Sequence, residues 1–209
     1  MRAPEFWNED GLIGKVLVPA GFIFSSLGRL RWNLTNPVRC SVPVICIGNL
    51  VTGGAGKTPV SISLANRFRK QTSKIHFLTR GYGGTIKGPY CVNRETDIAV
   101  KVGDEALLLA AVAPPWIARA RVAGAFAAVS AGANAIIMDD GFQNPSLYKD
   151  LSILVIDGEY GFGNQRVLPA GPLRETVNDG LARADVIVII GSDKTGLRND
   201  LPNHFPVLS

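Results

Sequence analysis

The chain has 209 residues, of which 46% are apolar and 19% are charged, a composition typical of globular proteins. Its length corresponds to one large domain, or to one domain and a fragment. The composition excludes collagen, coiled-coil and intrinsically disordered classes. Three cysteines are too few for a disulfide framework and indicate reduced thiols in the cytoplasm. The formal net charge is +5, but no cluster of Arg and Lys alternates with aromatic residues, so nucleic acid is not an expected partner.

Residues 1–40 are predicted to form an N-terminal helical segment at a membrane interface. Residues 11–40 include four basic and no acidic residues, and the apolar run Val16–Phe24 lies among them. Because the chain has no run of 18 apolar residues, a helix that crosses a membrane is not expected. Apolar residues beside Arg29 and Arg31 are typical of an amphipathic helix that lies in a membrane interface. A helix that packs on its own domain is an equally good interpretation of this segment.

Residues 41–209 are predicted to form an α/β core, a parallel sheet with helices on both faces. Short apolar runs predict strands, and longer stretches predict helices. In chain order, we predict a strand at Val42–Ile47, a helix at Pro59–Lys70, a strand at Ile75–Thr79, helices at Asp104–Val112 and Arg121–Ala131, and strands at Ala135–Met138, Ser152–Ile156 and Val186–Ile190. Functional loops of such sheets lie at the carboxyl ends of the strands. After Gly191 the pattern fades into a polar tail.

A glycine-rich loop, GGAGKT at residues 53–58, follows the first predicted strand. It is a variant of the phosphate-binding P-loop, because Val51 stands where the strict pattern has glycine. Its backbone N–H groups can surround a triphosphate, Lys57 can reach the β- and γ-phosphates, and Thr58 can bind Mg²⁺. The alternative is a glycine-rich turn that only begins a helix. The expected ATP-binding residues are Thr52, Gly53, Gly54, Ala55, Gly56, Lys57 and Thr58.

Two adjacent carboxylates, Asp139 and Asp140, end the predicted strand Ala135–Met138. An acidic residue at the end of an apolar strand holds the Mg²⁺ shell in P-loop enzymes. Because neighbouring carboxylates raise each other's pKa, the pair is costly unless a cation lies nearby. A polar strand end in which Asp140 caps a turn is the alternative, but the metal site is favoured when the pair is considered together with the P-loop.

Three more clusters are expected where the loops converge. The segment Arg80–Gly84 combines a phosphate-binding guanidinium with glycines and a tyrosine ring. Residues 103–105, Gly-Asp-Glu, begin a predicted helix, where Asp104 is either functional or a simple N-cap. Residues 163–175 form a polar, proline-containing loop whose arginines either bind an anion or pair with a neighbouring glutamate in solvent.

Together these motifs resemble the tetraacyldisaccharide 4'-kinase family, the lipid A biosynthesis kinases of Gram-negative bacteria. The matching motifs are GNLVTGGAGKTP, RGYGG, VGDE, DDGFQ and NQRVLPAGPLRE, together with the N-terminal apolar and basic segment. They occur in the family's order over nearly the whole chain. The resemblance implies transfer of the γ-phosphate of ATP to the 4'-hydroxyl of tetraacyldisaccharide 1-phosphate, with Mg²⁺ as cofactor. It also implies a peripheral protein at the cytoplasmic face of the bacterial inner membrane, which we expect to be a monomer.

The resemblance also implies roles for single residues. Asp104 matches the family's catalytic base, Asp139 matches the residue associated with Mg²⁺, and Asp140 belongs to the same catalytic surface. Lys57 and Thr58 match the P-loop roles given above. The residues expected to face the sugar-phosphate head group of the lipid are Tyr82, Glu105, Arg121 and Arg174.

One departure from the family keeps two other functions open. Family members continue into a smaller C-terminal subdomain with a histidine that works with the catalytic Asp. This chain has only His76 and His204, outside that context, so we expect the subdomain to be absent. One alternative is a P-loop ATPase that acts as a switch or assembly factor, although such proteins often carry a second lysine where this chain has Thr52. The other is a nucleotide-binding remnant without turnover.

Overall fold

A computed structural model describes residues 4–202 and 204–208 of the chain, except residues 8, 10 and 70–73. Residues 1–3 of the predicted N-terminal segment, the predicted helix end Lys70 and the last residue Ser209 therefore lie outside the described part. The chain divides into two compact units. The first unit comprises residues 1–36, 49–56 and 152–209, and the second comprises residues 37–48 and 57–151.

The described residues form helices and strands that alternate along most of the chain. The strands are β1 (Val44–Gly48), β2 (Ile75–Thr79), β3 (Tyr90–Cys91), β4 (Pro115–Ile117), β5 (Ala135–Asp139), β6 (Leu151–Asp157), β7 (Val186–Ile190) and β8 (Val207–Leu208). The helices are a short 3₁₀ helix (Glu5–Trp7), α1 (Leu12–Leu34), α2 (Lys57–Arg69), α3 (Ala99–Val102), α4 (Asp104–Ala110), α5 (Arg121–Ser130), α6 (Val177–Leu181) and α7 (Leu197–Asp200).

In the second unit, five strands pair in the order β3-β4-β2-β5-β1. All pairs are parallel except β3 with β4. Every residue of β1 and β2 is buried, as expected for parallel strands that are covered on both faces. Ile47 on β1 is in register with Asp139 on β5. The carboxyl ends of β1, β2 and β5 therefore lie at one edge of this sheet.

In the first unit, β6, β7 and β8 are parallel, and β7 lies between the other two. The long helix α1 belongs to the same unit. Its buried residues are Gly14, Gly21 and Ser25, which share one side of the helix because they are seven and four positions apart. A Cβ atom at Gly21 would lie 2.8 Å from the carbonyl oxygen of Val167, so the backbone approaches the 163–175 loop closely.

Most of the bulky apolar side chains of α1 are exposed. They include Val16, Phe22, Ile23, Phe24, Leu27 and Leu30. By length and composition α1 could cross a membrane, and only 17% of its most apolar window is buried. The small residues pack on the helix's own unit while the large ones face outward, and the membrane-interface interpretation of this segment stays a prediction.

The ends of α1 are attached to its unit by polar contacts. The Nε of Arg29 donates to an Oδ of Asp179 at 2.8 Å, and the guanidinium of Arg183 lies 4.4 Å from the centre of the Trp32 ring. Before the helix, the Nε1–H of Trp7 donates to the carbonyl oxygen of Pro169. These contacts hold α1 in a defined position on the unit.

The predicted α/β class is confirmed by the mostly parallel strands and the helices that connect them. The bounds of β2 and β7 are as predicted. Helix α2 begins at Lys57, two residues before the predicted start, so Pro59 lies in its first turn. The tail after Gly191, where the sequence pattern fades, contains the short elements α7 and β8.

Candidate functional site

Asp139 ends β5 and is completely buried, with an exposed fraction of 0%. One carboxylate oxygen, Oδ1, accepts a hydrogen bond from the hydroxyl of Ser61 at 2.8 Å. The other, Oδ2, accepts from the hydroxyl of Thr58 at 3.2 Å. Burial raises the pKa of Asp139 to about 6, and the nearby charge of Glu105 acts in the same direction, while the two hydroxyls oppose the shift. A positive charge beside this carboxylate would be strongly favoured.

Asp140 lies beside the amino group of Lys57, the lysine of the glycine-rich loop. The Nζ of Lys57 is 3.7 Å from Oδ1 of Asp140, and the lysine is buried. Asp140 has a φ of 51°, a left-handed conformation that is uncommon for residues other than glycine. Such strain persists where the surrounding structure fixes it and is frequent at functional sites. The predicted alternative, in which Asp140 only caps a turn, does not account for this contact with Lys57.

The oxygen atoms of Thr58 and Asp139 fit a magnesium ion. Mg²⁺ prefers oxygen ligands and is usually held by one or two carboxylates together with substrate phosphates and water. A hydroxyl and a carboxylate oxygen 3.2 Å apart supply this chemistry. Among the described residues, no three His, Cys, Asp or Glu side chains form a group suited to a metal held by protein alone.

Residues 49–56, which include the first four residues of the glycine-rich loop, belong to the first unit. Gly53 and Gly56 have backbone φ values of 121° and 72°, which residues other than glycine rarely adopt. The backbone N–H of Thr52 donates to the carbonyl oxygen of Pro172 at 2.8 Å. The N–H of Arg174 donates to the carbonyl oxygen of Leu50 at 2.7 Å. The 163–175 loop therefore supports, through its main chain, the residues that directly precede the glycine-rich loop.

In the second unit, the segment Arg80–Gly84 contacts the start of α4. Gly103 has a φ of 87°, and a Cβ atom there would collide with the carbonyl oxygen of Tyr82. The residue at the N-cap of α4 is Gly103, and Asp104 is the first residue of the helix. The carboxylate of Asp104 is exposed in the first turn of α4. The structure thus brings Tyr82 and Asp104 to neighbouring segments and places Asp104 one residue after the N-cap.

Arg121 begins α5 and is only 4% exposed. Its Nη1 donates to the carbonyl oxygens of Ala118 and Thr79, which lie where β4 and β2 end. Burial lowers the pKa of Arg121 to about 10. Among the described residues, no hydrogen-bond partner is found for its buried Nε. Within the described part of the chain, this donor is therefore both buried and unpaired, which is costly for the fold.

The remaining predicted site residues differ in exposure. Tyr82 is 77% exposed, Glu105 is partly buried on α4, and Arg174 is partly buried in the first unit. Within the second unit, the structure brings together Lys57, Thr58, Asp139 and Asp140. Within the first unit, it brings Arg174 next to the glycine-rich loop.

Ser61 was not among the predicted residues, although it is fully buried against Asp139. It follows Thr58 by three positions and precedes the buried Ala65 by four, so the three share one face of α2. A serine on the buried face of a helix that begins at a P-loop was the signal in the sequence. It carries little weight alone, because serine is common in helices.

Comparison with known proteins identifies relatives along almost the whole chain. A family described as tetraacyldisaccharide-1-P 4'-kinase matches residues 13–207. A tetraacyldisaccharide 4'-kinase from Rhodospirillum rubrum is 50% identical over 204 residues, which are 98% of this chain and 62% of that protein. The protein of the same name from Paramagnetospirillum magneticum is 55% identical over 94% of this chain and 61% of its own length. This chain therefore spans about three fifths of these relatives.

A solved structure shows a similar fold. The crystal structure of LpxK from Aquifex aeolicus in complex with ATP has a TM-score of 0.79 and is 27% identical in sequence. The similarity covers 94% of this chain and 64% of that one.

Proposed function

The chain belongs to the tetraacyldisaccharide 4'-kinase family, and from that premise we propose that it transfers the γ-phosphate of ATP to the 4'-hydroxyl of tetraacyldisaccharide 1-phosphate. The observation that carries the proposal is the set of contacts among Lys57, Thr58, Asp139 and Asp140. A lysine and a threonine at the start of a helix, beside two carboxylates at a strand end, are the groups that phosphoryl transfer from a nucleotide requires.

We propose that ATP is bound by residues 52–58. The backbone N–H groups of the glycine-rich loop would hold the phosphate oxygens, and Lys57 would place its charge near the β- and γ-phosphates. Thr58 and Asp139 would hold Mg²⁺, which supplies charge neutralisation at the transferred phosphate. Asp140, 3.7 Å from the Lys57 amino group, would keep that side chain directed toward the carboxyl end of β5.

Asp104 is proposed as the base that accepts the proton of the attacking hydroxyl. Its exposed carboxylate is accessible to a substrate, and Gly103 fixes the start of the helix that carries it. General-base help of this kind contributes about 10²- to 10⁴-fold in rate. Positioning of the phosphates by the loop and Lys57 contributes the larger share.

The head group of the lipid is proposed to contact Tyr82, Glu105, Arg121 and Arg174. The exposed ring of Tyr82 offers a stacking face for a sugar, and the buried Nε of Arg121 offers a donor for a phosphate or hydroxyl oxygen. Charge-assisted hydrogen bonds from arginine are strong and directional, which suits a sugar phosphate.

We further propose that the protein is peripheral to the cytoplasmic face of the inner membrane. The exposed apolar side chains of α1 support this proposal, since an acceptor with several acyl chains stays in the bilayer. Basic residues on the same helix, such as Arg31, would be attracted to anionic lipids.

The test is transfer of labelled γ-phosphate to the lipid by the 209-residue chain and by an Asp104→Ala variant. We expect the wild-type chain to label the lipid, and the variant to do so about 10²- to 10⁴-fold more slowly because it lacks the base. ATP binding is expected to stay unchanged. Glu95→Ala removes an exposed carboxylate of the same unit and serves as the control, with wild-type transfer expected.

Wild-type transfer by the Asp104→Ala variant would contradict the assignment of the base. Release of free phosphate without labelled lipid would contradict the kinase proposal and favour the ATPase switch. Neither product, with ATP still bound, would favour a nucleotide-binding remnant.

A further inference from the structure

Ser61 has a polar side chain that is fully buried, and burying a hydroxyl costs free energy unless it forms a hydrogen bond. It lies on α2, and its exposed fraction is 0%. A serine inside a helix commonly donates its hydroxyl hydrogen to a backbone carbonyl of the preceding turn. Ser61 instead donates to the carboxylate of Asp139, a residue 78 positions away in sequence. The bond is therefore a tertiary contact that joins α2 to the end of β5.

The two oxygens of Asp139 have different partners. Oδ1 is 2.8 Å from the Ser61 hydroxyl, and Oδ2 is 3.2 Å from the hydroxyl of Thr58. Two donors on opposite oxygens fix the plane of the carboxylate. With Oδ1 held by the shorter bond, Oδ2 is turned toward Thr58, the other oxygen that suits Mg²⁺.

Outer hydrogen bonds of this kind orient the ligands of metal ions. A carboxylate that binds a metal is usually held by a second group, and loss of that group typically lowers metal affinity about 10- to 100-fold. Ser61 is well suited to this task because its hydroxyl needs no ionisation and its position on the helix is fixed by the residues around it.

We infer that Ser61 is a positioning residue that fixes the orientation of Asp139 for the magnesium ion of the bound nucleotide. The inference rests on the proposed function, because it assigns Ser61 to the Mg²⁺·ATP site. Ser61 does not touch the nucleotide in this assignment and acts only through Asp139. Its loss should therefore affect the dependence of ATP binding on Mg²⁺ more than ATP binding in the absence of the metal.

The experiment compares Ser61→Ala with the matched control Ser63→Ala, which removes an exposed hydroxyl from the same helix. ATP binding to the 209-residue chain is measured first in a metal chelator and then during titration with Mg²⁺. For Ser61→Ala, we expect the Mg²⁺ concentration at half-maximal effect to rise about 10- to 100-fold. Binding without metal should match the wild type, and Ser63→Ala should match it in both conditions.

A second variant separates positioning from packing. Ser61→Cys keeps most of the side-chain volume but replaces the hydroxyl with a weak S–H donor. It should shift the Mg²⁺ dependence in the same direction as Ser61→Ala, and it provides the test if the alanine variant folds poorly. Thermal unfolding without metal or nucleotide reports the stability of each variant.

Three outcomes are decisive. A shift in Mg²⁺ dependence for both Ser61 variants, without a shift for Ser63→Ala, supports the inference. A lower unfolding temperature with unchanged Mg²⁺ dependence overturns it, because Ser61 would then only attach α2 to β5. Absence of Mg²⁺-dependent ATP binding in the wild-type chain would instead contradict the proposed function itself.

Discussion

Single buried polar residues in the second unit avoid the cost of burial in different ways. Asp139 accepts two hydroxyl hydrogen bonds, and Arg121 donates to backbone carbonyl oxygens. His76 on β2 accepts a hydrogen bond at Nδ1 from the Nε1–H of Trp116, at 3.1 Å. Burial lowers the pKa of His76 below its ordinary value of 6.5, so the neutral ring is favoured in the folded protein. Each solution has a measurable consequence.

His76 should make the folded protein less stable in acid. Below pH 6.5 the unfolded chain binds a proton at this histidine more readily than the folded protein does, so the free energy of unfolding falls as the pH decreases. Replacing His76 with Gln should reduce this fall between pH 7 and pH 5.5, measured by denaturant unfolding at each pH.

His204→Gln is the control for that measurement, because His204 is exposed. The pKa of Asp139 is raised, which acts in the opposite direction in the range from its ordinary pKa of 3.8 up to about 6. The comparison between variants removes this shared contribution. Equal pH profiles for the wild type and His76→Gln would contradict the prediction.

Residue types and spacing were sufficient to single out Lys57, Thr58 and Asp139, and the structure shows the contact between Thr58 and Asp139. The roles of these residues in binding stay a prediction. The burial of Arg121 was not predictable in the same way. Arginine is rarely buried, and one of the two carbonyl oxygens that accept its hydrogen bonds, that of Thr79, comes from a segment distant in sequence. Ser61 was missed for the same reason, since its partner lies on another element.

At the scale of elements, helix α1 shows why small residues occur inside an apolar segment. Glycine weakens a helix, so propensity alone does not explain Gly14 and Gly21 inside α1. The structure explains them by the close approach of the helix backbone to Ala170 and Val167. The helix itself was predictable from composition, but the side that packs was not, because that side is defined by a loop more than 140 residues away.

The same substitution should have opposite effects at two glycines of α1. Gly21→Ala places a Cβ 2.8 Å from a carbonyl oxygen and should destabilise the protein by about 1–3 kcal/mol. Gly28→Ala meets no atom within 4 Å and should stabilise it by about 1 kcal/mol through helix propensity. Thermal unfolding of the two variants checks this, and a stabilised Gly21→Ala protein would show that the helix does not pack as described.

Short strands were the least predictable elements. β3, β4 and β8 have two or three residues each, too few for any periodic pattern. They form because longer neighbours offer unpaired backbone groups at their edges. β7, by contrast, is apolar along five residues, and β2 has three apolar residues among five; both were predicted with their observed bounds.

For the whole molecule, the alternation of strands and helices was sufficient to predict the α/β class. The division into compact units was less accessible, because residues 49–56 group with residues 152–209 through non-local contacts. The predicted boundary at residue 40 stays a prediction. Association with a membrane, which we propose, is likewise a property of the whole chain.

Vesicle binding should depend on the exposed side chains of α1. A Phe22→Ser, Ile23→Gln, Leu27→Gln variant removes three large apolar groups, each worth about 1.5–3 kcal/mol when fully buried. We expect its binding to vesicles with anionic phospholipids to fall at least about tenfold, measured by co-flotation. The matched control, Ile98→Gln, Val100→Gln and Leu108→Gln, removes exposed apolar groups from the second unit and should float like the wild type. Equal flotation of both triple variants would contradict a membrane role for α1.

Different properties limit the two sides of α1: side-chain volume on one side and side-chain polarity on the other. The side that carries the buried glycines has no space for added atoms. On the outer side there is space, and only the apolar character of the side chains matters for membrane binding. Hydrophilic replacements confined to the outer side should therefore yield a folded protein that can be handled without detergent. Such a preparation would allow the nucleotide chemistry to be followed with water-soluble acceptors, free of micelles.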